Sequence, residues 1–171
     1  EFKKYLEIKF LGKNTLNMSK DLRAIIYNNQ REVQQLVKEY KEIENEILNQ
    51  LNTVGKELDK INPVIDTNIK ITKSGLFNWD NTRVYKYSLS KNQNKIWIQF
   101  VKHEIYLNSN YYLQEGTDAK FNEILKELNL NNNIILSHKK SVSELINIFL
   151  EQVNIASKSF EIYENFTSNQ E

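Results

Sequence analysis

Apolar residues recur between positions 22 and 61 at steps that alternate between four and three: Leu22, Ile26, Asn29, Val33, Leu36, Tyr40, Ile43, Ile47, Leu51, Val54, Leu58 and Ile61, with Asn29 the one polar member. That spacing is the seam of a coiled coil. The second step of four in a row, from Ile47 to Leu51, is a stutter that locally unwinds a supercoil without breaking the helix. A helix of about 40 residues is about 60 Å long, roughly twice the diameter of a small domain. Part of its stripe is therefore expected to need a partner beyond the chain's own core. Ser19 is placed to cap the helix, with Asp21 in its first turn, and Asn62-Pro63 stops it. Gly55 sits in the last turns, where fraying or bending is expected, at about 1 kcal/mol relative to alanine.

After Pro63 the period drops to two. Ile69 and Ile71, then Tyr85, Tyr87 and Leu89, then Ile96, Ile98 and Phe100 alternate with polar or outward residues, and a fourth strand is expected around Ile105–Leu107. Polar turns separate them: Ser74-Gly75 opening a loop through Asp80, then Lys91–Asn94, then Lys102-His103-Glu104. Four short consecutive strands predict an antiparallel meander. Thr117 or Asp118 can cap a helix with Phe121, Ile124, Leu125 and Leu128 on one face, ended by Asn131-Asn132-Asn133. Ser141 and Glu144 have capping-box spacing and open a heptad array of Val142, Ile146, Phe149, Val153, Ala156, Phe160 and Tyr163. With Leu145, Ile148 and Leu150 its apolar face is wide enough for burial against a sheet or several helices.

The predicted organisation is a lead over residues 1–18, with a short strand or extended segment at Leu6, Ile8 and Phe10, a coiled-coil helix over 19–62, and an α+β head over 63–171. In that head a four-stranded antiparallel meander carries two C-terminal helices. The order helix, meander, helix, helix resembles that of RWD domains, most closely the globular heads of coiled-coil kinetochore proteins. It is carried by the coil through Ile61, strands Tyr85–Leu89, Ile96–Val101 and Ile105–Leu107, and helices Phe121–Leu128 and Val142–Tyr163. The Tyr-Pro-x-x-x-Pro signature of ordinary RWD domains is absent, since Pro63 is the only proline. The resemblance implies a non-catalytic adaptor of the nucleus that pairs through its coil and docks other proteins on its head. Outside that resemblance a cytoplasmic location is the expectation.

Charge and composition narrow the chemistry. Lys and Arg number 23 against 22 Asp and Glu, a net charge of +1, so no strong long-range pull toward nucleic acid is expected. The absence of cysteine excludes disulfides, Cys-ligated zinc and thiol nucleophiles. Four glycines leave no room for a dinucleotide fingerprint, and Gly12-Lys13 lacks the upstream glycine of a phosphate cradle. His103 and His138 fall in predicted turns without ligand spacing to each other or to a carboxylate pair. Glu7-Ile8-Lys9 has the Glu-x-Lys step of some metal-dependent nucleases, yet the helix separates it from Asp66 and Asp80. No catalytic residue, metal or cofactor is expected, and an enzyme is not.

Two surfaces remain as candidates. The helical seam, Leu22, Ile26, Asn29, Val33, Leu36, Tyr40, Ile43 and Ile47, is the expected coiled-coil interface, homotypic or heterotypic. Trp79, Trp97 and Val101 are candidates for a docking surface on the head; if Ile96, Ile98 and Phe100 face the core, Trp97 and Val101 face outward, whereas helices on both faces make Trp97 core. Lys70, Lys73, Arg83, Lys86, Lys91, Lys95 and Lys102 give the strands a mild positive excess which, with Trp79, Trp97, Tyr111 and Tyr112, supports an alternative: a small nucleic-acid-binding or host–parasite interaction protein of an AT-rich bacterium or phage. The plainer reading is that these charges alternate with core residues, as on any one-sided sheet. The first expectation is thus a structural adaptor with another coiled-coil chain and further proteins as partners, and neither nucleic acid nor membrane.

Overall fold

The computed structural model describes residues 20–79, 82–130, 134–136 and 139–169, with side chains from Arg23 onward. The expected strand at Leu6–Phe10, the Ser19 cap, the side chains of Asp21 and Leu22, and His138 lie outside the described residues. The chain is α+β: a long helical segment, a five-stranded antiparallel sheet, and further helices after the fourth strand. It divides into two compact units between Glu42 and Ile43.

The helical segment consists of α1 (Lys20–Asn28) and α2 (Gln30–Lys60). Asn29 separates them, yet its N–H donates to the Ile25 carbonyl at 3.1 Å and its own carbonyl accepts from Val33 at 3.0 Å, so the helical ladder runs through. Its side-chain Nδ2 also donates to the Ile25 carbonyl, at 2.7 Å. In the first unit the seam residues Ile26, Val33 and Tyr40 are half-buried, and Leu36 is 40% exposed.

In the second unit the same stripe becomes core: Ile47, Leu51, Val54 and Leu58 are buried. The role of Gly55 is steric. A Cβ at this position would lie 2.7 Å from Leu76 Cδ1, so glycine permits close packing of α2 on the sheet where the sequence predicts a frayed turn. The helix ends at Lys60, just short of Pro63, and Lys73 closes that end, donating to the carbonyls of Asp59 (3.2 Å) and Ile61 and to Asn62 Oδ1 (3.1 Å).

The strands are β1 (Lys70–Trp79), β2 (Thr82–Lys91), β3 (Asn94–His103), β4 (Tyr106–Leu113) and β5 (Ile134–Leu136), in that spatial order. Three features depart from expectation. β1 does not end in a loop at Ser74-Gly75; it passes a bulge there, where Gly75 takes a left-handed φ of 64°, and continues through Phe77 and Trp79. β4 runs to Leu113 through a polar centre in which Ser109 Oγ donates to Gln152 Oε1 at 2.8 Å. The fifth strand, three residues long, is too short to show a period. The β2–β3 and β3–β4 hairpins turn on Asn92 and Glu104, both at positive φ.

On one face of the sheet lie Tyr85, Tyr87 and Leu89, then Ile96, Ile98 and Phe100, all fully buried. Phe149 of α4 (Val142–Ser168) meets Tyr85 (5.6 Å), Tyr87 (5.0 Å) and Phe100 (5.1 Å) in edge-to-face contacts. The two buried phenols still find acceptors, Tyr87 in the Leu58 carbonyl at 2.7 Å and Tyr85 in Asp59 Oδ1 at 2.9 Å, and burial pushes both pKa values up. α3 (Ala119–Glu127) starts at Asp118, whose carboxylate accepts from Lys120 N, and packs on α4 through Phe121 and Phe160, 4.6 Å between centroids. The Ser141–Glu144 capping box forms as its spacing predicts, and the hydrogen bonds from Ser141 hold the Glu144 carboxyl below its ordinary pKa.

Candidate docking face

The second face of the sheet is built from the alternate positions of the same strands. The register sets it out in rows: Trp79 beside Thr82; Phe77, Val84, Val101 and Asn108; Gly75, Lys86, Gln99 and Asn110; Thr72, Ser88, Trp97 and Tyr112; Lys70, Ser90 and Lys95. Every helix-to-sheet contact described above falls on the first face.

On a flat sheet Trp79 and Tyr112 would stand about 20 Å apart along the strands and about 14 Å apart across them. Their ring centroids are 6.4 Å apart. The sheet is therefore strongly coiled, and two diagonally opposite corners of this face close toward each other, as right-handed twist and the Gly75 bulge direct. Trp97 stacks on Tyr112 at 4.7 Å and 14° between planes. On the same face Val84 is fully buried and Val101 is 5% exposed.

Lys86 stands at the centre. Its Nζ lies 5.0 Å from the Phe77 ring centroid and 5.8 to 5.9 Å from those of Tyr112, Trp79 and Trp97, and it donates to the Tyr112 hydroxyl at 3.0 Å. Lys95 Nζ sits 4.7 Å over the Trp97 ring. Among the described residues neither lysine meets a carboxylate, and none of the strand positions on this face is Asp or Glu. In the row of Lys86 two buried amide oxygens, Gln99 Oε1 and Asn110 Oδ1, have no hydrogen-bond partner among the described residues.

The cations marked in the sequence thus separate into two groups. Lys73, Arg83, Lys91 and Lys102 lie on the helix-covered face, each with a partner: helix-end carbonyls for Lys73, Asn52 and Asn78 for Arg83, Asp66 (3.1 Å) and Glu164 (2.7 Å) for Lys91, and Glu44 (3.0 Å) for Lys102. Lys70, Lys86 and Lys95 lie on the second face. Of the aromatic residues grouped with them, Tyr112 shares that face and Tyr111 does not.

Of the docking candidates, Trp79 is 56% exposed, Trp97 is half-buried in its stack, and Val101 is covered. Lys86 belongs to the strand cations that the sequence marks, with nothing to single it out among them; Phe77 is missed because a loop is expected where β1 continues, although the alternation Phe77, Trp79 against Leu76, Asn78 carries that information. On the helical seam, Ile26, Val33, Leu36 and Tyr40 belong to the first unit, Ile43 packs at the edge of the second unit's core, and Ile47 is 1% exposed inside it. Asn29 spends its side-chain amide on Ile25.

His103 stacks on Tyr106 at 5.5 Å, and Asp66 is engaged by Lys91. Glu7, Lys9 and Asp80 are outside the described residues. Among the described residues no cluster of metal-ligating side chains forms, and no helix is long and apolar enough to cross a membrane. Comparison of the chain with family models, with curated proteins and with solved structures found no match.

Proposed function

We propose that this chain is a non-catalytic structural adaptor that pairs through the N-terminal part of its helical seam and docks another protein on its α+β head. One observation carries the reading: the apolar stripe is buried from Ile47 to Leu58, whereas upstream the same stripe leaves Leu36 exposed and Ile26, Val33 and Tyr40 only half-covered. Apolar side chains at seam spacing gain most from a second helix. A kinetochore-type assembly in the nucleus is the setting we propose, and its support is the order of elements alone; a cytoplasmic adaptor is the alternative setting.

Sedimentation equilibrium of the full chain at micromolar concentration tests the pairing. A concentration-dependent dimer is expected, and Leu36→Lys with Val33→Lys should shift it to monomer while far-ultraviolet circular dichroism keeps the signature of the folded head. A wild-type monomer across that range overturns pairing between copies.

The nucleic-acid reading has one feature in its favour, the gathering of Lys70, Lys86 and Lys95 with Trp79, Trp97 and Tyr112 on one face. It is the weaker reading, because four of the seven strand cations are engaged on the other face and the net charge is +1.

A further inference from the structure

We propose that the coiled second face of the sheet recognises an acidic peptide segment of a partner protein, with Lys86 as the central anion-binding residue, Lys95 and Lys70 beside it, and Trp79 as the apolar contact. The inference rests on the adaptor reading and names the chemistry of what its head would dock.

Charge complementarity is the first argument. Lys86 is half-buried among four rings and uses one of its three N–H donors on the Tyr112 hydroxyl. Ring faces attract the ammonium, but they do not replace the charged acceptors that the well-buried Lys91 and Lys102 possess on the opposite face. A carboxylate arriving at this face meets three lysines and, among the described residues, no acidic competitor on the strands. The two amide oxygens in the same row, Gln99 Oε1 and Asn110 Oδ1, have no hydrogen-bond donor among the described residues, and an extended segment has N–H groups to offer such acceptors.

The same geometry argues for peptide over single-stranded nucleic acid. Base stacking needs a free ring face. Trp97 has Tyr112 on one side and the Lys95 ammonium over its ring, and Lys86 lies against all four rings of the cluster. Of these rings only Trp79 projects well into solvent. Three lysines also make a short footprint for tracking a polyphosphate backbone.

The test uses the chain's own reporters: Trp79 and Trp97 are its only two tryptophans, and both stand on this face. Full chain is titrated in low salt with a short peptide alternating glutamate and leucine, and separately with oligothymidylate, following tryptophan emission. A saturable change with the acidic peptide is expected, weakened by added salt and weakened about tenfold or more in Lys86→Met, the loss of one charge-assisted contact. Lys95→Gln should weaken it less. The proposal is overturned if the acidic peptide gives no saturable change, if oligothymidylate binds more tightly, or if both lysine variants, shown folded by circular dichroism, bind as the parent does. Sedimentation of the same samples keeps the two ideas apart, since a monomer that binds the peptide retires the seam and keeps this face, and a dimer that does not bind it does the reverse.

Discussion

The two faces of this sheet are made by alternate residues of the same strands, yet they solve burial differently. On one, helices α2 and α4 cover the aromatic residues, the phenols reach helix-end acceptors, and each lysine or arginine named there ends on a carboxylate, a carbonyl or an amide oxygen. On the other, the coiled sheet draws Trp79 toward Tyr112, and Lys86 and Lys95 end on ring faces and a phenol. The contrast teaches that burial alone does not identify a finished core. The helix-covered face pairs its cations with oxygen acceptors, whereas on the second face Lys86 and Lys95 meet no carboxylate among the described residues.

The largest effect is expected on the helix-covered face. Phe149→Ala removes the ring shared by Tyr85, Tyr87 and Phe100 and should cost about 3–5 kcal/mol in denaturant unfolding. A loss below about 1 kcal/mol would break the claim that this face organises the head.

Next is Gly55→Val, which drives a branched side chain into Leu76 and should cost about 1–3 kcal/mol. Adding Leu76→Ala should return part of that loss, and a double variant no better than the sum of the singles would deny the contact.

The sharpest and smallest test is a matched pair of lysines. Lys91→Met strips Asp66 and Glu164 of their partner and should lower Tm, whereas Lys86→Met leaves no anion stranded and should stay within about 0.5 kcal/mol of the parent. The pair also separates in acid. The backbone N–H of Asn68, and after it Lys91, hold the Asp66 carboxyl below its ordinary 3.8. A lowered folded-state value means a contribution fully present above 3.8 and lost as pH falls through the folded value. Melting curves between neutral pH and pH of about 3 should show a shallower acid loss in Lys91→Met, because only the Asn68 contribution remains, and a parent-like slope in Lys86→Met.

What the sequence announced was local. Ser141 and Glu144 stand three residues apart and form their cap; Val142–Tyr163 keeps one period and makes one helix; Asp118 caps α3. What it withheld was set at a distance. The polar centre of β4 is tolerable because Gln152, far along the chain, meets Ser109. β1 survives Ser74-Gly75 because a bulge lets the ladder resume at Gly75. Lys86 gains its neighbours from strands that only coiling brings together, so no spacing announces it. The seam holds two environments under one period, for Leu36 and Ile47 obey the same heptad although Leu36 is exposed and Ile47 lies in the core of its own chain. Periodicity reports which side of a helix is greasy, and nothing about who sits against it.

Lys73 ties the exit of α2 to β1, and its consequence concerns self-templating. A terminal strand of ten residues is an invitation for a neighbour to extend the sheet, and fibrous growth begins with such invitations. Here the irregular ladder between Lys73 and Gly75 denies a visiting strand an unbroken run of donors and acceptors, and the ammonium anchored on the helix exit holds the strand in place at that point. The irregular ladder and the anchored Lys73 thus make this margin a poor template for a further strand.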